Sequence, residues 1–146
     1  MFGDIIDNTM MINKLGTVVR NEWSKTAELR KNVFLDEFVI MPNHLHGIIV
    51  LLDGGWGTEH RAPTKEYEQF GKPTSNSIPT IIRSFKAITT KNINQIRNSP
   101  GLPVWQRNYY EHIIRNEYKM TRIREYIQNN PLKWELDEEN PDNLSP

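Results

Sequence analysis

Asp36-Glu37-Phe38-Val39-Ile40-Met41-Pro42-Asn43-His44-Leu45-His46-Gly47-Ile48-Ile49-Val50 is the stretch that decides how the rest of the chain is read. Apolar, β-branched runs flank a Pro-Asn pair, which predicts two strands joined by a turn. Side chains alternate faces along a strand, so His44 and His46 share one face and Leu45 points to the other. Two imidazoles side by side make half of a divalent-metal site. The other half has to come from elsewhere in the sequence.

Working outward, residues 33–41 and 44–52 form this hairpin, and their continuous hydrophobicity predicts a sheet buried on at least one face. Upstream, residues 2–12 read as a small hairpin around Asp7-Asn8-Thr9. Asn13 then caps a helix running to about Lys31, whose Leu15, Val18, Val19, Trp23 and Leu29 recur at helical spacing and pack on the sheet. Downstream, Asp53-Gly54-Gly55 ends the hairpin. Residues 53–76 follow without a sustained period and read as a long, disordered loop.

Helical order resumes over residues 77–98, with Ser77 as cap and Pro79 in the first turn. Ile78, Ile81, Ile82, Phe85, Ile88 and Ile96 line one face. Arg83, Lys86, Lys91 and Arg97 lie mostly off it, a set suited to phosphate contact or to plain solvation. Ser99-Pro100-Gly101-Leu102-Pro103 breaks the helix. Residues 104–115 read as a strand or extended segment returning to the sheet, with Trp105, Tyr109 and Tyr110 available to stack on bases or to fill the core. Asn116 caps a last helix through Asn130, stopped by Pro131.

On that helix Ile123, Tyr126, Ile127 and Asn130 share a face. Tyr126 and Asn130 are four residues apart, so a phenol and an amide oxygen project together and can face the histidines if the helix lies on their strand. Two imidazoles and an amide oxygen with open positions suit Mg²⁺ or Mn²⁺ bound to phosphate. Tyr126 could then attack phosphorus and hold a strand covalently. The competing reading of Tyr126 is an ordinary half-buried helical tyrosine.

Composition sets the bounds. A chain of 146 residues is one domain with a core of its own, assigned here to residues 1–135, followed by an acidic, mobile tail over 136–146. No run approaches the ~20 apolar residues of a membrane span, and no signal peptide is evident. The absence of cysteine excludes disulfides, thiolate metal sites and thiol nucleophiles, and fits a cytoplasmic protein. The zero net charge hides a block over residues 71–133 with 11 of the 18 basic side chains and three acidic ones. Such a block fits a polyanion partner, or merely a basic helix face.

Three segments carry a family resemblance: Phe38 to Val50, Trp105-Gln106-Arg107-Asn108-Tyr109-Tyr110-Glu111-His112-Ile113-Ile114-Arg115-Asn116, and Tyr126-Ile127-Gln128-Asn129-Asn130-Pro131. In this order they resemble the REP-associated tyrosine transposases, single-tyrosine His-hydrophobic-His enzymes of insertion sequences, across roughly residues 2–135. The resemblance implies an α+β fold, a ferredoxin-like central antiparallel sheet covered by helices. It implies His44, His46 and Asn130 as metal ligands and Tyr126 as nucleophile, with Tyr109 and Tyr110 as decoys. Arg83, Lys86, Lys91, Arg107, Tyr110, His112 and Arg115 are the candidate DNA contacts.

The implied chemistry is metal-dependent cleavage and rejoining of single-stranded DNA at hairpins, through a 5′-phosphotyrosine, by a monomer or homodimer. Family members usually open with a further basic segment and apolar strand ahead of the region that begins here at Phe2. A chain without that strand could also be a hairpin-binding protein that no longer cleaves. A relaxase or replication-initiation nuclease shares the His-x-His pair but not the Trp-Gln block. A structural metal protein would need further ligands to close its site.

Overall fold

The computed structural model describes residues 1–52 and 77–144. The chain is an α+β protein. Its elements run β1 (Gly3–Ile6), β2 (Thr9–Ile12), α1 (Lys14–Glu28), β3 (Val33–Ile40), β4 (Leu45–Leu51), α2 (Ile78–Ile96) and α3 (Glu117–Gln128), followed by short 3-10 helices at Pro131–Leu136 and Pro141–Leu144. The loop expected over 53–76 lies outside the described residues. Among the described residues no helix is long and apolar enough to cross a membrane.

Each long helix starts where its sequence supplies an acceptor for an otherwise unpaired amide. The side chain of Asn13 accepts from Gly16 N–H, Ser77 from Thr80 N–H and Asn116 from Lys119 N–H. The first helix stops at Glu28, earlier than expected. Leu29 is therefore outside its apolar face and 77% exposed.

Two antiparallel hairpins are formed. In the first, Asp7 and Asn8 adopt positive φ of 50° and 62°, the left-handed twist that a two-residue hairpin turn requires. In the second, Met41 N–H donates to the His44 carbonyl at 2.8 Å and closes the Pro42-Asn43 turn. Its ladder carries a bulge. Leu35 faces Ile49 and Phe38 faces Gly47, so Asp36 and Glu37 share one position opposite Ile48. The extra residue shifts the alternation, and Leu35 before it and Phe38 and Ile40 after it all reach the same core.

That core lies between β3–β4 and the helices α1 and α2, around Val19, Trp23, Ile40, Phe85 and Ile93, with Phe2 and Val104 closing its ends. Trp23 meets Phe85 edge-on at 5.2 Å and lies 6.3 Å from Phe38. An added Cβ at Gly47 would stand 2.5 Å from Trp23 Cζ2, so the strand can pass the indole only without a side chain there. Each large aliphatic or phenyl group buried here contributes roughly 1.5–3 kcal/mol.

Helix α3 packs on β3, yet buries a single side chain deeply, Ile127. Its docking therefore leans on a polar clamp. Arg124 Nε donates to Asp36 Oδ1 at 2.7 Å and Arg124 Nη2 donates to Asp36 Oδ2 at 2.8 Å, a two-point contact anchored at the bulge.

Two expectations are corrected. The described residues form two separate two-stranded sheets, and no single central sheet is seen among them. Residues 104–115 form no strand. Val104 and Trp105 anchor in the core, the Lys86 ammonium takes the carbonyls of Gln106 and Asn108, and Asn108 turns the chain with φ 66°. Within the acidic stretch read as the tail, the chain forms a short 3-10 helix at Pro141–Leu144. Asn140 of that stretch is buried and donates to the Trp134 carbonyl at 3.0 Å.

Candidate active site

The alternation of β4 puts Leu45 and Ile49 against the core and turns His44 and His46 to the opposite side. There the two rings meet edge-on at 4.7 Å, with His44 Nε2 and His46 Nε2 only 3.0 Å apart. Burial holds both imidazoles below the ordinary histidine pKa. The neighbouring His44 adds to the effect at His46, while the carboxylates of Asp137 and Glu139 work against it at both rings. Both rings are thus biased toward the neutral form, which has a lone pair for a ligand.

Helix α3 brings the tyrosine. The Tyr126 ring packs edge-on against His46 with centroids 5.6 Å apart and stays half exposed. Residues 44, 46 and 126 thereby meet at one place, although α3 packs chiefly on β3 and not on the strand that carries the histidines. Asn130 is buried one turn on, and its amide nitrogen donates to the Tyr126 carbonyl at 3.0 Å. Its amide oxygen remains the atom able to act as a ligand. Among the described residues no hydrogen bond joins Asn130 to either histidine.

The donor set fits a metal by a simple test. Two ligands at right angles, each about 2.1 Å from a cation, stand about 3.0 Å apart, and the two Nε2 atoms show that separation. Among the described residues no third His, Cys, Asp or Glu joins them in a metal-sized cluster. An amide, water or substrate oxygen would complete the shell.

The candidate DNA contacts scatter. Arg83 and Lys91 are exposed on α2, in the layer across the sheet from Tyr126. Lys86 is committed to the carbonyls of Gln106 and Asn108, and it sits 5.9 Å over the Tyr109 ring. Burial lowers its pKa from the usual lysine value. Arg107, Tyr110, His112 and Arg115 are all exposed along the irregular arm that leads into α3, Tyr110 at 92%.

Several neighbours were invisible to local patterning. Trp134 lies 6.1 Å from His44. Asn43 Oδ1 sits 2.7 Å from His44 Nδ1, while Asn43 Nδ2 donates to the Glu139 carbonyl at 2.7 Å. The Glu139 carboxylate in turn accepts from Gln106 Nε2 at 3.0 Å. The one signal available was an asparagine next to the first histidine, which reads equally well as a turn residue.

Fold and site define an α+β protein with a partly buried imidazole pair faced by a helical tyrosine. A protein of Haemophilus influenzae (strain ATCC 51907 / DSM 11121 / KW20 / Rd), described as an uncharacterized protein, is 45% identical over 139 residues, covering 94% of this chain and 76% of that protein. The chain belongs to the same family as this protein. No family model matches it, and no solved structure does.

Proposed function

We propose that the chain is a metal-dependent DNA strand transferase of the REP-associated tyrosine transposase type, with Tyr126 as nucleophile. The observation that carries this reading is the meeting of Tyr126 with the His44–His46 pair. The residues come from separate elements, the β4 end of the hairpin and helix α3, with His46 and Tyr126 80 positions apart in sequence. The exposure of Tyr126 suits a macromolecular substrate.

In this account His44, His46 and the Asn130 amide oxygen would hold Mg²⁺ or Mn²⁺. The cation polarises a phosphodiester when bound. The Tyr126 hydroxyl, its proton released to solvent, forms a bond to phosphorus as the bond to the 3′-oxygen breaks. The 3′-oxygen leaves as a free hydroxyl and the 5′-phosphate stays on Tyr126. One phosphodiester is exchanged for another, so the step is reversible, and attack by a second 3′-hydroxyl rejoins a strand without nucleotide hydrolysis. Arg107, Tyr110, His112 and Arg115 border the path into α3 and are the DNA contacts this reading favours.

The finer fold belongs to the same proposal. In this reading hairpin β3–β4, with α1 and α2 on one face, would stand for the middle of a ferredoxin-like sheet. The two-stranded sheet also favours a second reading, a hairpin-binding protein that does not cleave. One assay separates the two. Labelled single-stranded DNA with a hairpin is incubated with the protein and Mn²⁺ and run on a denaturing gel. A protein-linked band absent in Tyr126→Phe and with chelator supports the transferase, whereas binding without such a band in the wild type supports the second reading.

A further inference from the structure

We infer that Asn43 is a positioning residue that fixes the tautomer of His44, and that the acidic segment around Glu139 holds Asn43 in the orientation needed. The inference rests on the proposed metal role of His44 and adds to it a residue outside the ligand set. It follows from counting donors and acceptors. The Glu139 main-chain carbonyl can only accept, so the Asn43 group 2.7 Å from it is the NH₂. The other end of the carboxamide, 2.7 Å from His44 Nδ1, is then the oxygen, which can only accept. His44 Nδ1 must carry the proton, and Nε2 is left with its lone pair exposed.

That Nε2 is the nitrogen facing His46, at 3.0 Å. With His44 Nε2 as acceptor, His46 donates its own Nε2–H across the gap. Only His46 has to exchange its tautomer when both nitrogens become ligands, losing the proton at Nε2 and regaining one at Nδ1. His44 needs no rearrangement. Histidines that bind metals are commonly held this way by a partner on the remote nitrogen. Here the partner is the residue just before the histidine, in a turn closed by Met41 N–H to the His44 carbonyl. The segment at residues 137–140 thus acts on the site through a main-chain carbonyl, at a distance of 96 residues in sequence.

The test is two-bond ¹H–¹⁵N NMR on histidine-labelled protein at a pH where both rings are neutral, paired with Mn²⁺ titration. Wild type is expected to show His44 protonated at Nδ1. Asn43→Ala moves the proton toward Nε2 and weakens Mn²⁺ binding by roughly 10–100-fold. Asn43→Asp, whose carboxylate can accept from Nδ1 but no longer donates to the Glu139 carbonyl, separates the two parts. A proton displaced from Nδ1 supports the holding role of Glu139, and an unchanged tautomer overturns that role while leaving the acceptor role of residue 43 standing. A purely structural asparagine would lower the melting temperature of Asn43→Ala and leave the tautomer alone. The inference is overturned if wild-type His44 carries its proton on Nε2, or if Asn43→Ala alters neither tautomer nor Mn²⁺ binding. The gel assay on Tyr126 reports on the nucleophile and not on this proton, so either claim can fail while the other stands.

Discussion

Gly47→Ala tests whether the strand bearing the histidines is held by its contact with Trp23. The new Cβ would lie 2.5 Å from Trp23 Cζ2 and 3.2 and 3.3 Å from Cε2 and Cη2. The indole cannot step aside cheaply, since it is 2% exposed and wedged against Phe38 and Phe85. Overpacking of this kind costs typically 1–3 kcal/mol. Against it stands the reduced freedom of the unfolded chain when glycine is replaced, about 0.4–1 kcal/mol. The net expectation is a loss of about 1.3 kcal/mol, or a melting point lower by roughly 3–5 °C for a chain of this size.

Trp23→Phe sharpens the test. It trims the ring that clashes and removes an indole N–H that is buried and has no hydrogen-bond partner among the described residues. Urea unfolding of the two single variants and the double variant gives a coupling energy. Gly47→Ala should be clearly less damaging in the Trp23→Phe background. A neutral or stabilising Gly47→Ala, or effects that add within about 0.5 kcal/mol, would refute the packing argument.

Other predictions follow from the same geometry. Arg124→Ala should destabilise the protein, because it strips Asp36 of its two-point partner at the bulge. The Arg124 hydrogen bond holds the Asp36 pKa below the ordinary aspartate value, so this contribution is present above that ordinary value and lost as pH falls through the lower folded one. Melting curves of wild type and Arg124→Ala should therefore run apart at neutral pH and converge in acid, and a gap independent of pH would count against the clamp. Mn²⁺ should raise the wild-type melting point, corresponding to about 2.7 kcal/mol at a hundredfold excess over Kd, with chelator reversing it. The double variant His44→Ala, His46→Ala should show no such shift.

What the sequence disclosed was mainly local. Alternation along β4 placed His44 and His46 on one side, the caps Asn13, Ser77 and Asn116 marked the helix starts, and the i, i+4 relation tied Tyr126 to Asn130. The nonlocal parts stayed hidden. The bulge at Asp36-Glu37 has no periodic signature, because it works by shifting one. Arg124 finds Asp36 across 88 residues, and Asn43 finds Glu139 across 96, through contacts that depend on the finished fold. Residues 104–115 misled because aromatic content resembles a strand. Their course is set by Lys86 and by the anchoring of Val104 and Trp105.

The central claim is that Tyr126 is the group that joins to DNA. The most direct test is tandem mass spectrometry of the linked species after nuclease trimming, which locates the residue carrying the nucleotide. The account predicts a phosphonucleotide on Tyr126, on a peptide from α3. The same modification on Tyr109, Tyr110 or Tyr118, with Tyr126 unmodified, would contradict it.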